Sequence, residues 1–149
     1  MADLWIGGAD YVGEPLTAAA IGDDPIAAIA DWVQQAHEAG EPQSNAMCLA
    51  TVDAAGKPSV RTVLLKGVDS GLLFFTNYQS AKASDLAATG AAAVNFTWLN
   101  THRQIRAAGD VTKVTAEVSD EYFASRPRGS QVAAAASPQS RPLKNRAEL

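Results

Sequence analysis

From residue 46 onward, the chain alternates short apolar, β-branched runs with turns that contain Asp and Gly. Runs of this length between such turns are typical of strands joined as hairpins, and their simplest product is an antiparallel meander. Five or six short antiparallel strands with helices at the margins favour a mainly β fold built as a small β-barrel. The predicted strands are residues 47–52, 60–66, 72–76, 92–99 and 103–114.

Helix signals flank these strands. Asp24 is a predicted N-cap with Pro25 at the first helical position, and apolar residues then recur at helical spacing until Gly40. Ser80 can cap a helix that runs to residue 88, and Thr115 can open another that runs to residue 125. The alanine cluster at 133–136 also favours a helix, and residues 141–149 begin like one.

A chain of 149 residues predicts one domain with a real core. Residues 1–23 mix Gly, Pro and Ala without periodicity, which predicts a flexible N-terminal arm, and residues 24–149 form the predicted domain. The start of the chain lacks both a cationic region and a long apolar stretch, so we expect neither a signal peptide nor a membrane span.

Charge is distributed unevenly along the chain. Residues 1–56 hold nine Asp or Glu and no Lys or Arg, whereas the rest carries all 12 cations and the other 7 of 16 acids, a net of +5. The overall pI of about 5.0 argues against non-specific nucleic-acid binding as the main role. An anion-binding site is therefore expected in the second part of the chain.

The chain contains one cysteine, Cys48, which excludes an internal disulfide framework. A reducing compartment, and so the cytoplasm, is the expected location. Cys48 lies in an apolar strand without a neighbouring histidine in the sequence, and we interpret it as a small core residue rather than a nucleophile.

Cations and hydroxyl groups cluster on the second predicted hairpin and the turn after it. Arg61 and Lys66 bracket one strand, and Ser80 and Lys82 begin the next helix, where backbone donors and the macrodipole favour an anion. Such a set suits a phosphate. The alternative is that Arg61 and Lys66 are solvated ends of an edge strand. Because their numbers differ by five, the two cations face opposite sides of a regular strand and would hold different parts of one ligand, or two ligands.

A second candidate cluster follows near the end of the third helix. Its members are Tyr122, Arg126, Arg128 and Ser130. Tyr122 and Arg126 are four residues apart on one helix face, and Ser130 follows Gly129 in a predicted turn. These groups could hold a second phosphate, or could be a solvated helix end with a partly buried tyrosine. Gln104, Gln139 and Ser140 offer further polar donors.

No metal-binding spacing, nucleophile elbow, phosphate loop or dinucleotide fingerprint occurs in the sequence. The residues provide sites for anions but no evident acid, base or nucleophile. This combination points to a cofactor that brings its own chemistry.

Several separated motifs together resemble the pyridoxamine 5′-phosphate oxidase family. The resemblance covers residues 24–149 and rests on motifs at residues 45–47, 61–66, 75–77, 80–82, 103–104, 122–131 and 139–140. It implies a split β-barrel with Greek-key-like antiparallel strands, and a homodimer that binds flavin mononucleotide (FMN) at the subunit interface. It also implies that the chain stops before the family's C-terminal strands.

The resemblance assigns roles residue by residue. The implied flavin contacts are Arg61, Thr62, Val63, Leu64, Leu65, Lys66, Phe75, Thr76, Lys82 and Gln104, with Gln139 and Ser140 expected from the partner subunit. The implied contacts to the substrate phosphate are Lys66, Tyr122, Arg126 and Ser130. No catalytic residue and no metal ligand are implied within this chain.

Three positions depart from the family pattern. Ala81 replaces a cation that many relatives carry near the flavin phosphate, so weaker flavin retention is expected. Tyr11 is kept in the arm, but Gly8 and Ala9 stand where some relatives have arginines.

The implied activity is oxidation of pyridoxine or pyridoxamine 5′-phosphate to pyridoxal 5′-phosphate, with dioxygen reduced to hydrogen peroxide. One alternative is a related FMN-dependent oxidase of another ring, such as a phenazine precursor. Another is a protein that binds flavin or pyridoxal phosphate without turnover.

Overall fold

The computed structural model describes residue 8 and residues 15–148. Tyr11 and Ala9 of the predicted arm therefore lie outside the described residues. The helices are α1 (Ala18–Ile21), α2 (Pro25–Glu38), α3 (Ala81–Thr89), α4 (Ala116–Ser125) and α5 (Arg128–Ala136). The strands are β1 (Ala46–Val52), β2 (Pro58–Leu64), β3 (Gly67–Val68), β4 (Leu72–Leu73), β5 (Ala91–Trp98) and β6 (Arg103–Asp110).

Four strands form one antiparallel sheet in the order β2-β1-β5-β6. The β1–β2 turn is closed by Asp53, whose Oδ1 accepts hydrogen bonds from the amides of Ala55 and Lys57, both at 2.9 Å. Gly56 supplies the positive φ of 82° that this turn requires. The antiparallel sheet is confirmed, but β5 pairs with the free side of β1, and the third predicted strand does not pair with β2.

The prediction that residues 72–76 continue a simple meander is wrong. β4 pairs only with β3 as a separate two-stranded ladder. β2 ends at Leu64 because Asn45 binds both backbone groups of Leu65. The Asn45 carbonyl accepts from the Leu65 amide at 2.8 Å, and the Asn45 side-chain amide donates to the Leu65 carbonyl at 3.0 Å. The chain then turns back within a few residues, leaving 74–77 as an irregular segment.

The core lies between α2 and the inward face of the sheet. Asp24 caps α2 by accepting from the amides of Ile26 and Ala27, as the sequence predicts. The buried apolar side chains come from α2, β1, β5 and the segment after β2, and full burial of one of the size of Leu, Ile, Met or Phe is worth about 1.5–3 kcal/mol. They are Ile29, Trp32, Ala36, Met47, Leu65, Phe96 and Trp98.

The alternation along β1 corrects the interpretation of Cys48. Met47, Leu49 and Thr51 point inward and are buried, so Cys48 points to the opposite face and is exposed. Its assignment to the core is wrong, because residues in a strand alternate strictly between the two faces of the sheet.

Helix α3 begins and ends as predicted. Ser80 is the N-cap, and Gly90 ends the helix in the left-handed conformation, with φ 68°. The helix lies against β1, where the Thr51 hydroxyl donates to Asp85 Oδ2 at 2.6 Å. This contact joins the middle of α3 to the sheet.

The C-terminal region contains more helix than the sequence indicated. α4 with its Thr115 cap is confirmed, but α5 begins at Arg128, so Ser130 lies in a helix rather than in a turn. Pro127 is the N-cap of α5. Proline is tolerated there because the first amides of a helix have no partner within the helix, so the missing amide hydrogen costs no hydrogen bond. Gly129 lowers helix propensity by only about 1 kcal/mol relative to Ala. Gly129 had suggested a turn at this point of the sequence.

The segment 141–149, predicted to begin a helix, holds a short 3₁₀ turn at Arg146–Glu148. In the stretch predicted as a flexible arm, the described residues include the four-residue α1, capped by Thr17. No helix in the described part of the chain is long and apolar enough to cross a membrane.

Candidate functional site

A large open groove runs along the end of β2, the irregular segment 74–77, the start of α3 and the pair α4–α5. Its volume is about 2220 Å³, more than the roughly 300–1,000 Å³ that a single small-molecule pocket usually has. Thirteen of the residues singled out from the sequence line it, namely Arg61, Thr62, Val63, Leu64, Lys66, Phe75, Thr76, Lys82, Tyr122, Arg126, Ser130, Gln139 and Ser140.

Arg61 is fixed by the neighbouring strand and by α3. Its Nη1 donates to the Leu49 carbonyl at 3.1 Å and to Thr51 Oγ1 at 2.7 Å. Its Nη2 lies 3.8 Å from Asp85 Oδ2. The alternative that Arg61 is a solvated strand end does not describe this residue, because the guanidinium is half-buried and bonded to the sheet.

Lys82 lies in the first turn of α3 and is only 8% exposed. Its ammonium donates to Gln139 Oε1 at 3.0 Å and to Ser80 Oγ at 3.4 Å. Burial, and next the nearby Arg61 guanidinium, lower the pKa of Lys82. Two cations therefore lie close together at the start of a helix, and an anion placed between them would relieve their repulsion.

Lys66 belongs to another part of the groove. It lies beyond the end of β2, so the strict alternation expected for residues 61 and 66 does not apply to it. Its Nζ is 5.9 Å from the centre of the Tyr122 ring. The Tyr122 ring in turn stacks on Phe75, with centroids 3.7 Å apart and planes within 5°. Arg61 and Lys66 thus have different neighbours and lie in different parts of one groove. That they hold different parts of one ligand, or two ligands, stays a prediction.

Arg126 and Ser130 lie near this second end, at the junction of α4 and α5. Arg126 is the C-cap of α4, and its carbonyl accepts from Gln131 Nε2 at 2.8 Å. Both side chains are half-buried and line the groove. Within residues 15–148, the Arg126 guanidinium has no hydrogen bond or ion pair, which leaves its donors available to a ligand.

Leu65 and Gln104 do not line the groove. The Leu65 side chain is buried in the core, and both its backbone amide and its carbonyl are bonded to Asn45. Gln104 is exposed on β6 and borders a small cleft beside Trp32 and Leu16. The structure therefore does not bring Gln104 together with Arg61 and Lys82 of the same chain.

Two groove features were missed in the sequence. Thr51 and Asp85 hold Arg61, and Lys113 Nζ lies 5.1 Å from the centre of the Tyr78 ring at the groove edge. Asp85 is three residues after Lys82 on the same helix face, a spacing that could have suggested a shared environment. No local signal marks Thr51 or Lys113, whose neighbours are distant in sequence.

Comparison with known proteins gives this groove a context. Residues 33–149 match the family model described as pyridoxamine 5′-phosphate oxidase. The chain belongs to the pyridoxamine 5′-phosphate oxidase family. The resemblance inferred from the separated motifs is confirmed.

Curated relatives are similar over most of this chain. It is 52% identical over 128 residues to a pyridoxine/pyridoxamine 5′-phosphate oxidase of Mycolicibacterium paratuberculosis, covering 85% of this chain and 58% of that protein. It is 55% identical over 119 residues to the protein of the same name from Rhodococcus jostii, and the match covers 79% of this chain and 53% of that protein. The chain thus spans a little over half the length of these relatives.

Solved structures confirm the fold. PhzG from Burkholderia lata, in complex with tetrahydrophenazine-1-carboxylic acid, matches with a TM-score of 0.84 and 26% identity over 90% of this chain and 68% of that chain. A pyridoxamine 5′-phosphate oxidase-related, FMN-binding protein from Nostoc punctiforme matches with a TM-score of 0.65 and 22% identity. This match covers 82% of this chain and 68% of that chain. The antiparallel sheet with flanking helices is the split-barrel fold of this family.

Proposed function

We propose that this chain contributes the FMN site and the substrate-phosphate site of a pyridoxine/pyridoxamine 5′-phosphate oxidase. The observation that carries the proposal is one groove with cations at both ends, in a chain that belongs to this family. Two phosphorylated heterocycles would thus share a single open space. The groove volume of about 2220 Å³ leaves room for both.

The residues at the first end suit the phosphate of FMN. Arg61 and Lys82 are partly or largely buried cations, and Ser80 begins α3 beside them. A dianion there would accept charge-assisted hydrogen bonds, each worth about 1.5–3 kcal/mol. Bound FMN would supply the redox chemistry, taking a hydride from the substrate and passing electrons to dioxygen.

The residues at the second end suit the phosphate of the vitamin substrate. Arg126 has uncommitted donors, Ser130 adds a hydroxyl, and Lys66 lies over the face of Tyr122. These groups would bind and orient the substrate phosphate. The stacked pair of Phe75 and Tyr122 would shield one side of the substrate from water.

The exposed face of the sheet supports a homodimer with the flavin near its interface. Cys48, Val52 and Val60 lie on this face, with Val60 65% exposed. Gln104 lies on the same face. Cys48 pairs with Asn95 and Asn95 pairs with Arg106, and paired residues share a face of the sheet. Gln104 is two residues from Arg106 on β6, so its side chain is on that face as well. We infer that Gln104 contacts the flavin bound by the other subunit.

Gln139 and Ser140 are better explained as contacts from the same chain. Gln139 accepts from Lys82 of its own chain at 3.0 Å, and Asn77 Nδ2 donates to the Ser137 carbonyl at 3.3 Å. These bonds hold the segment after α5 at the start of α3. The proposal therefore departs from the expectation that Gln139 and Ser140 come from the partner subunit. Location in the cytoplasm, and the lack of nucleic-acid or membrane partners, stay predictions.

The test is purification of the complete protein and addition of FMN. We expect a yellow protein that produces pyridoxal 5′-phosphate and hydrogen peroxide from pyridoxine 5′-phosphate in air. A protein that stays colourless and inert with excess FMN would contradict the proposal. Binding of FMN without product would instead support the alternative of a binding protein without turnover.

A second candidate is an FMN-dependent oxidase of a reduced phenazine carboxylic acid. It is favoured by the TM-score of 0.84 to PhzG, whose structure contains tetrahydrophenazine-1-carboxylic acid. Side-by-side turnover of that acid and of pyridoxine 5′-phosphate separates the two. If the phenazine compound were oxidised faster, it would become the proposed substrate in place of pyridoxine 5′-phosphate.

A further inference from the structure

We propose that Thr51 and Asp85 are positioning residues for the anion-binding arginine, Arg61, and that the charge of Asp85 limits how tightly this end of the groove binds a phosphate. The inference rests on the proposed function, because it takes the FMN phosphate as the anion held by Arg61 and Lys82. Neither Thr51 nor Asp85 lines the groove, so both would act through Arg61.

The hydrogen-bond chain from Asp85 to Arg61 has one possible direction. A carboxylate only accepts, so the single proton of the Thr51 hydroxyl must point to Asp85 Oδ2, 2.6 Å away. The hydroxyl oxygen then has a lone pair free for Arg61 Nη1, which donates to it at 2.7 Å. Asp85 therefore sets the orientation of Thr51, and Thr51 sets that of Arg61.

Burial makes this chain of bonds rigid. Thr51 is 1% exposed and lies on the inward side of β1, next to the Leu49 carbonyl that also accepts from Arg61. Both Nη1 hydrogens of Arg61 are thus used by the sheet, whereas Nε and Nη2 keep donors for a ligand. A guanidinium fixed in this way loses little side-chain entropy when it binds a phosphate.

The charge of Asp85 acts in the opposite sense. Its Oδ2 is 3.8 Å from Arg61 Nη2, and it follows Lys82 by three residues on α3. Its negative charge offsets the repulsion between the two cations in the ligand-free groove, but it also repels an incoming phosphate. Positioning by Thr51 should therefore strengthen phosphate binding, while the charge of Asp85 should weaken it.

The experiment measures dissociation constants of FMN and of riboflavin, which lacks the phosphate, by quenching of flavin fluorescence. For Thr51→Val, which deletes the hydroxyl and keeps the shape, we expect FMN to bind roughly tenfold more weakly, with riboflavin unchanged. For Asp85→Asn, which keeps an acceptor for Thr51 but removes the charge, we expect FMN to bind roughly fivefold more tightly, again with riboflavin unchanged.

The matched control is Asp31→Asn on the exposed side of α2. It should leave the FMN to riboflavin ratio unchanged. If Thr51 and Asp85 had a merely structural role, Thr51→Val and Asp85→Asn would lose the same amount of affinity for FMN and for riboflavin and would have lower thermal stability. That result would overturn the inference. So would an unchanged ratio in Thr51→Val and Asp85→Asn while the unmodified protein prefers FMN. If the unmodified protein bound both flavins equally, the phosphate assignment in the proposed function would fail as well.

Discussion

The two ends of the groove carry similar residue types but are built differently. At the first end, Arg61 and Lys82 are bonded to a strand, a helix cap and Gln139 before any ligand binds. At the second end, Arg126 lies at a helix terminus without a side-chain partner in the described residues. The helices that carry the second end, α4 and α5, contain no buried residue.

This difference suggests a division of roles. A preorganised site loses little entropy on binding and suits a ligand that stays bound through many turnovers, such as a flavin cofactor. A site on exposed helices can adjust and suits a ligand that enters and leaves in each cycle. The comparison predicts that substitutions at the two ends affect different ligands and by different amounts.

The largest effect is expected at the first end. Lys82→Met should weaken FMN binding by up to roughly 100-fold, because the ammonium hydrogen that Gln139 and Ser80 leave free can make one charge-assisted hydrogen bond of up to about 3 kcal/mol to the phosphate. Titration with FMN, followed by flavin fluorescence, measures this change. Lys57→Met, in the exposed β1–β2 turn, is the matched control. Equal dissociation constants for both variants would remove Lys82 from the flavin site.

A smaller and more selective effect is expected at the second end. In the complete protein, Arg126→Ala should raise the KM for pyridoxine 5′-phosphate by roughly tenfold through loss of a charged hydrogen bond, with FMN binding unchanged. Arg128→Ala is the control, since Arg128 is exposed and donates to Gln131 at 3.2 Å instead of facing the groove. If Arg126→Ala weakened FMN binding instead, the division of the groove into two sites would be wrong. An unchanged KM would favour a substrate without a phosphate.

The smallest effect concerns pH in the ligand-free protein. The pKa of Lys82 is lowered from its ordinary value of 10.5, first by burial and then by Arg61. Between the lowered pKa and 10.5 the unfolded chain binds more protons than the folded one, so the stability contributed by Lys82 rises with pH in that window. Urea unfolding at a series of pH values that rises toward 10.5 should show the unmodified protein gaining stability relative to Lys82→Met. If the difference in free energy of unfolding between the unmodified protein and Lys82→Met did not change with pH, the lowered pKa of Lys82 would be contradicted.

Much of the fold followed from local patterns. The caps Asp24, Ser80 and Thr115 were predicted because a cap bonds to amides two or three residues away, well within reach of sequence reasoning. The short β4 and the outward position of Cys48 were missed. The first depends on Asn45 ending β2 twenty residues away in sequence, and the second on which face of β1 meets α2.

The sequence by itself determined most of the strand and helix segments, the family, and the set of cations and hydroxyls available to bind phosphates. The tertiary structure alone decided how these side chains are grouped: Arg61 with Lys82, Lys66 with Tyr122, and Gln104 on the outer face of the sheet. Helix caps and strand periodicity are short-range properties of the chain. The partners of a side chain are decided when β5 pairs with β1 and α3 packs against it, which brings together residues that no local pattern connects.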